Sequence, residues 1–230
     1  MGGANPLVLA VLVGMAALLP AVLLVATSFV KISVVLGVVR NALGGGDIPG
    51  ATVVTALAVI LSLHAMAPTF DAVGDAAGAQ LVAAVTRDPT TPEGLAAWRA
   101  AWAAARAPIA RFLRANATPR DRAFFLDLAR ASRARAAQGP DAMVTEAPAE
   151  GDLAVLLPAF VTSELTRAFT LGFLVLLPFL VVDLVVANVL VALGLSGMPH
   201  GSAALPFKLL LFVLADGWTT LARALVLGYR

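Results

Sequence analysis

Cysteine is absent from the 230 residues. Disulfides, thiolate metal sites and thiol nucleophiles are therefore excluded, and the redox compartment leaves no mark on the chain. Histidine is nearly absent too. His64 and His200 have no Glu or His at ligand spacing, so no zinc motif exists. Charge is sparse: Asp, Glu, Lys and Arg make up 13% of the residues, where soluble domains carry about 25%. No Walker, dinucleotide-binding or nucleophile-elbow pattern occurs. Gly44-Gly45-Gly46 is followed by no Lys-Ser/Thr pair and reads as a turn. Ser28 and Lys31 have the spacing of a Ser/Lys dyad, but they lie in an apolar run with no oxyanion-binding group beside them.

What the chain has instead is apolar surface. Hydrophobic residues make up 60% and mean hydropathy is +0.91. An ordinary soluble enzyme and a disordered chain are both excluded. The composition defines a membrane-class protein, and its apolar runs read as helices, which gives an all-α membrane protein. Its charge is also unevenly spread. Residues 87–152 carry ten Arg and eight Asp or Glu, which is 18 of the 30 charged side chains. The pI of 9.7 therefore reflects a small Arg excess in one mixed-charge segment. With eight acids interleaved, counterion-release binding to nucleic acid is not expected.

The chain divides into three parts: a hydrophobic helical hairpin over 1–68, a helical extramembrane segment over 69–152 and a second hydrophobic helical hairpin over 153–230. Residues 5–30 are long enough to cross a hydrocarbon core of about 30 Å, with Pro20 as a kink. The basic n-region of a cleaved signal peptide is missing, so a retained helix is expected. Lys31 to Arg40 continues as helix, with Ile32, Val35, Leu36 and Val39 on one face. Residues 41–50 form a turn. A second helix runs over 51–67 and stops at Pro68, with a short helix over 70–85 after it.

In the middle segment Trp98, Trp102, Ile109, Phe112 and Leu113 recur at helical spacing, as do Phe124, Phe125 and Leu128. These side chains are expected to form a helical core or to contact neighbours. Thr118-Pro119 followed by Asp121 signals a helix start, and residues 138–151 read as a linker. In the last part, residues 194–204 read as a loop, and Pro206 opens a final helix running to Tyr229.

Lys31, Glu164, Asp183, Lys208 and Asp216 each interrupt or border an apolar run. At the centre of a membrane helix a Lys or Asp costs about 2.5–3.5 kcal/mol, while each Leu or Val returns about 0.3–0.6. Such groups face protein, one another or water, and mark a pathway or an assembly interface. Glu164 and Lys208, both bracketed by long apolar runs, are expected to pair across a subunit or hairpin interface.

Several strings in the two hydrophobic halves carry a resemblance. They are Thr27-Ser28-Phe29-Val30-Lys31-Ile32, Arg40-Asn41-Ala42-Leu43-Gly44 and Leu157-Pro158-Ala159-Phe160-Val161-Thr162-Ser163-Glu164-Leu165. Pro178-Phe179-Leu180-Val181-Val182-Asp183-Leu184 and Leu205-Pro206-Phe207-Lys208-Leu209-Leu210 follow, then Asp216-Gly217-Trp218. In order and spacing the chain resembles the FliP/SctR (YscR) family of type III secretion export apparatus proteins, over roughly residues 18–68 and 153–227. The middle segment matches only in length and helical character. The missing signal peptide leans towards the injectisome branch rather than the flagellar one.

That resemblance implies a virulence-associated, non-enzymatic subunit of a protein export gate, multi-pass in the bacterial inner membrane and without cofactor or metal. Copies of the chain would form a ring, pentameric by the resemblance. Its partners would be SctS/FliQ-like and SctT/FliR-like small membrane subunits and cytoplasmic-gate proteins of the apparatus, and unfolded secreted proteins would pass through the centre. The helices would splay as a cone, with the middle segment on the periplasmic side. The family closes its pore with a methionine-rich loop before the Leu-Pro-Phe-Lys motif. Here that loop is Gly194-Leu195-Ser196-Gly197-Met198-Pro199-His200, so Leu195 and Met198 are the candidate constriction.

Two other classes compete. In an ion channel or secondary transporter, Lys31, Asp183 and Asp216 would be coupling or selectivity groups, but the two halves lack the sequence symmetry usual there. In a membrane-anchored enzyme the middle segment would be catalytic, yet it holds no His, Cys or paired carboxylates at plausible spacing.

Overall fold

The computed structural model describes residues 14, 24–44, 49–137, 147–195 and 197–229. Most of the proposed first span, including Pro20, the glycine turn at 45–48 and most of the linker lie outside them. Seven helices are described: α1 Phe29–Ala42, α2 Ala51–Val85, α3 Pro92–Asn116, α4 Pro119–Ala136, α5 Leu153–Ala192, α6 His200–Leu214 and α7 Gly217–Leu227. No strand occurs among the described residues, as the composition predicted.

Two of these helices are longer than any membrane requires. α2 has 35 residues and α5 has 40, lengths of about 52 and 60 Å at a rise of about 1.5 Å per residue, against a hydrocarbon core of about 30 Å. Both are long and apolar enough to cross a membrane. Pro68 does not end a helix as the sequence reading expected; it lies inside α2. A proline within a helix forfeits one backbone hydrogen bond, whereas termination would leave four carbonyls to be satisfied. Where no water is available to satisfy them, continuation costs less. Pro158 and Pro178 are accommodated in α5 in the same way.

Pro206 likewise falls inside α6, which starts six residues earlier than expected. The expected single last helix is broken instead. α6 and α7 are bent by 60° at Asp216, whose φ of 47° and ψ of 49° put a non-glycine residue in the left-handed region. Gly217 follows because a Cβ there would come within 2.3 Å of the Phe212 ring. Trp218 packs edge-on against the same ring, with centroids 5.0 Å apart.

By contacts the chain forms two compact units. One comprises Ser28–Ala65 and Glu164–Tyr229, and thus α1, the start of α2, the larger part of α5, α6 and α7. Its core is built by Ile32, Val35, Leu36 and Val39 of α1 with Val54, Ala58, Ala168, Phe179, Phe212, Leu221 and Leu225. The face predicted for α1 is the face it buries.

The other unit contains Met66–Ser163. α3 buries Ala97, Ala101, Ala105, Pro108 and Phe112, and Ala84 of α2 meets Ala97 and Ala101. Phe112 packs on Phe160 at 5.5 Å. Of the side chains expected to form a core or to contact neighbours, Phe112 and Leu113 are in the core, whereas Trp98 and Trp102 are 42% and 56% exposed. Alanine is the residue that lets helices approach closely, so the small face turned inward and the large aromatics turned out. Phe124 is exposed as well, and α4 has no buried residue.

Caps set the starts of α3 and α4. The Thr91 hydroxyl accepts from the Gly94 amide and the Thr118 hydroxyl from the Asp121 amide. The Ser163 hydroxyl donates to the Asp121 carboxylate and accepts from the Thr118 amide, tying the start of α4 to α5. Just before α3, the Thr90 hydroxyl and amide donate to Asp88 and hold its carboxyl below the usual carboxylate range. Glu150, in the segment read as linker, is held by Arg122 at 2.8 Å.

These burial patterns predict a contrast. Phe112→Ala should cost about 3–5 kcal/mol through its cavity, whereas Trp102→Ala should stay within about 0.5 kcal/mol. Denaturant unfolding of the full chain in detergent, followed by helical circular dichroism, measures both.

Candidate functional site

The strings singled out in the sequence meet at two buried charge centres, both within the unit of α1, α6 and α7. The first is built around Glu164, which α5 places with no solvent exposure. Lys31 of α1 lies 3.3 Å from Glu164 Oε2. Arg167, one turn further along α5, donates to Oε1 at 2.8 Å. The Tyr229 hydroxyl, beyond the end of α7, donates to Oε2. A carboxylate removed from water needs its oxygens satisfied by charged or strongly polar donors, and here two cations and a phenol do so. The Lys31 ammonium also sits 3.4 Å from the centre of the Tyr229 ring, a cation–π contact. Beside it the Ser28 hydroxyl is 3.0 Å from that of Ser62 on α2. Ser28 is thus occupied as a link between helices rather than with Lys31.

The second centre is built around Lys208 of α6, which is 5% exposed. Its ammonium is 2.7 Å from Asp183 Oδ2 and donates to the Ala42 carbonyl at 2.9 Å. Ala42 is the last residue of α1, whose unpaired carbonyls carry the negative end of the helix dipole. Lys208 thus caps α1 and neutralises Asp183 at once. Gly44 has φ +133°, and a Cβ there would meet the Leu205 side chain at 2.7 Å. The Ala42-Leu43-Gly44 and Leu205-Pro206-Phe207-Lys208 strings are consequently in contact.

Within the chain Glu164 and Lys208 are not partners. Each has a nearer opposite charge, Lys31 for the one and Asp183 for the other. Of the two interfaces expected for that pair, the one within the chain is taken by these other partners, because spacing along the chain does not say which helices adjoin. Arg167, which interrupts the same apolar run as Glu164, was not assigned to the site, and neither was Tyr229. Arg167 was legible as the i+3 neighbour of Glu164. Tyr229, the chain's single tyrosine, had no local signal. Asp216, the fifth charge, is exposed at the α6–α7 bend and makes no ion pair among the described residues.

Leu195 and Met198 lie between α5 and α6 and are 46% and 53% exposed; Ser196 is outside the described residues. Next to them α5 and α6 frame an apolar groove of about 450 Å³, lined by Val182, Val186, Val189, Ala203 and Phe207 among others. No group of three or more His, Cys, Asp or Glu suited to a metal occurs among the described residues.

Long apolar helices with ion pairs buried between them define a helical membrane protein whose charges serve its architecture. Comparison with known proteins narrows the class. Residues 12–225 match the FliP family, and the chain belongs to it. It is 40% identical over 224 residues to the Yop proteins translocation protein R of Yersinia pestis, covering 96% of this chain and 95% of that one. To the hypersensitivity response secretion protein HrcR of Ralstonia nicotianae it is 43% identical over 216 residues, 93% of each chain. To the flagellar biosynthetic protein FliP of Caulobacter vibrioides it is 39% identical over 213 residues, 93% of this chain and 72% of the other.

The geometry predicts which charges couple. In double-mutant cycles Lys31 and Glu164 should show about 1–3 kcal/mol of interaction energy, whereas Glu164 and Lys208 should be additive within about 0.5 kcal/mol. Unfolding midpoints of the single and double alanine variants in detergent supply the cycle.

Proposed function

We propose that the chain is a structural subunit of the export gate of a type III protein secretion apparatus in the bacterial inner membrane. It lines, with partner subunits, the channel through which unfolded proteins cross. The observation that carries this reading is the match to the FliP family over nearly the whole chain, together with relatives named for translocation and secretion. The charge centres fit the role. Each binds helix to helix within the chain, and neither presents a nucleophile, base or metal ligand set to a substrate. The chain acts by shape and assembly, without turnover of its own.

In this reading copies of the chain form a ring, pentameric, with SctS/FliQ-like and SctT/FliR-like subunits beside it and the cytoplasmic-gate proteins below. Apolar surface supports it. Phe169, Phe173, Val181, Leu184 and Val185 of α5 are all more than half exposed, a surface for lipid or neighbouring subunits rather than for water. The segment 69–152 lies outside the membrane on the periplasmic side. Its exposed Trp98, Trp102 and Phe124 supply contacts to neighbours rather than an internal core.

The loop at 194–200 is the constriction. Leu195 and Met198, repeated around a ring axis, close a narrow path by excluding water. The methionine thioether yields readily to a passing chain. Leu195→Gly with Met198→Gly should raise ion leakage across the membrane while leaving assembly intact, as read by conductance of reconstituted complexes. Deletion of the chain should abolish secretion in the organism that carries it; secretion continuing without it would refute the export-gate reading.

A further inference from the structure

α7 has an outer face unlike that of its neighbour. Leu221 and Leu225 turn inward to the core. Asp216, Thr219, Thr220 and Arg223, at helical spacing on the other side, are all exposed. These four side chains make no hydrogen bond or ion pair with one another or with any other described residue. On α6 the exposed large side chains are Phe207, Leu210, Val213 and Leu214, whereas on α7 polar side chains fill the stripe from Asp216 to Arg223, with Trp218 exposed beside it and Leu227 closing it. α6 and α7 together are apolar enough for one broken span. A lipid-facing position suits the α6 face but not an unpartnered aspartate, two hydroxyls and an arginine, because charged groups at membrane depth turn to protein or to water. Breaks in a span are likewise tolerated where they border a water-filled cavity.

We infer that the Asp216–Thr219–Thr220–Arg223 face of α7 lies against water, as part of the wall of the hydrated path through the assembly. One acid and one base separated by two hydroxyls give a wetted surface with no net charge. Such a wall passes polypeptides of either sign without holding them, unlike a ring of like charges. The 60° bend at Asp216 is what turns this face away from the direction of the apolar α6 face. The inference rests on the export-gate reading and adds to it the surface that meets the transported chain's water.

The absence of cysteine makes the test direct. Thr219→Cys, Thr220→Cys and Arg223→Cys are compared with Leu210→Cys and Val213→Cys, each as the single cysteine of the full chain in its assembled complex. Right-side-out and inverted membrane vesicles are treated with a membrane-impermeant thiosulfonate. Only a hydrated thiol forms the reactive thiolate readily, so the α7 positions should label about tenfold faster or more than the α6 positions. The two threonine positions are the mildest replacements and keep the test valid where Arg223→Cys disturbs folding. Equal rates for both sets, or slow labelling at α7 from both sides, would overturn the inference. Loss of the export-gate reading is seen separately, as secretion that persists when the chain is deleted.

Discussion

A carboxylate with no access to water constrains everything around it. Glu164 is surrounded by Lys31, Arg167 and Tyr229, which come from the start of α1, from α5 itself and from beyond α7. Removing one partner strands the rest, at about 3–5 kcal/mol for a broken buried pair. The position of α1 against α5 and the docking of the segment after α7 therefore follow from one side chain. Gly228 belongs to the same arrangement, since a Cβ there would lie 3.5 Å from the Lys31 ammonium. The second centre works by a different physics. Lys208 answers both a carboxylate and the dipole of α1 through the Ala42 carbonyl, so the end of one helix and the charge of another are settled by a single ammonium.

Apolar burial supplies the bulk of the stability, but it does not choose among arrangements. Val, Leu and Ile on α1, α5 and α6 pack in many registers at similar cost, and outside water the hydrophobic drive between helices is weak. Ion pairs and tight backbone approaches have few solutions. Gly44 against Leu205 and Gly217 against Phe212 are of this kind, and so is the close fit of Gly172 to Val38, where a Cβ would stand 3.2 Å away. The specificity of the fold rests on these few contacts.

Much of this was legible in the sequence, for identifiable reasons. Periodicity gave the buried face of α1, and Thr118-Pro119 gave the start of α4, because both are local effects. Every residue of the two charge centres except Tyr229 and Arg167 stood out as a charge in an apolar run. Other features were decided by competition or by tertiary context. Pro68 and Pro206 signal helix boundaries in water, but both were overridden by the preference for continuous helix. Of the two roles open to Trp98 and Trp102, the core went to a neighbouring stripe of alanines, which a hydrophobicity pattern ranks lower although it permits closer packing. Within the chain Glu164 and Lys208 each meet a different partner, because adjacency of helices is a property of the tertiary fold.

The order of synthesis gives the first charge centre a further consequence. The Tyr229 hydroxyl reaches the Ser28 carbonyl across 201 positions of chain, and Glu164 is itself made more than a hundred residues after Lys31. At roughly 5–20 residues per second, Lys31 waits on the order of ten seconds at the membrane before its carboxylate exists, and longer for its tyrosine. During that interval the Lys31 ammonium lacks the carboxylate it meets in the folded chain, and its flexible stem can keep it in water. Closure of the first charge centre is thus a late step, completed only once the segment after α7 has been made.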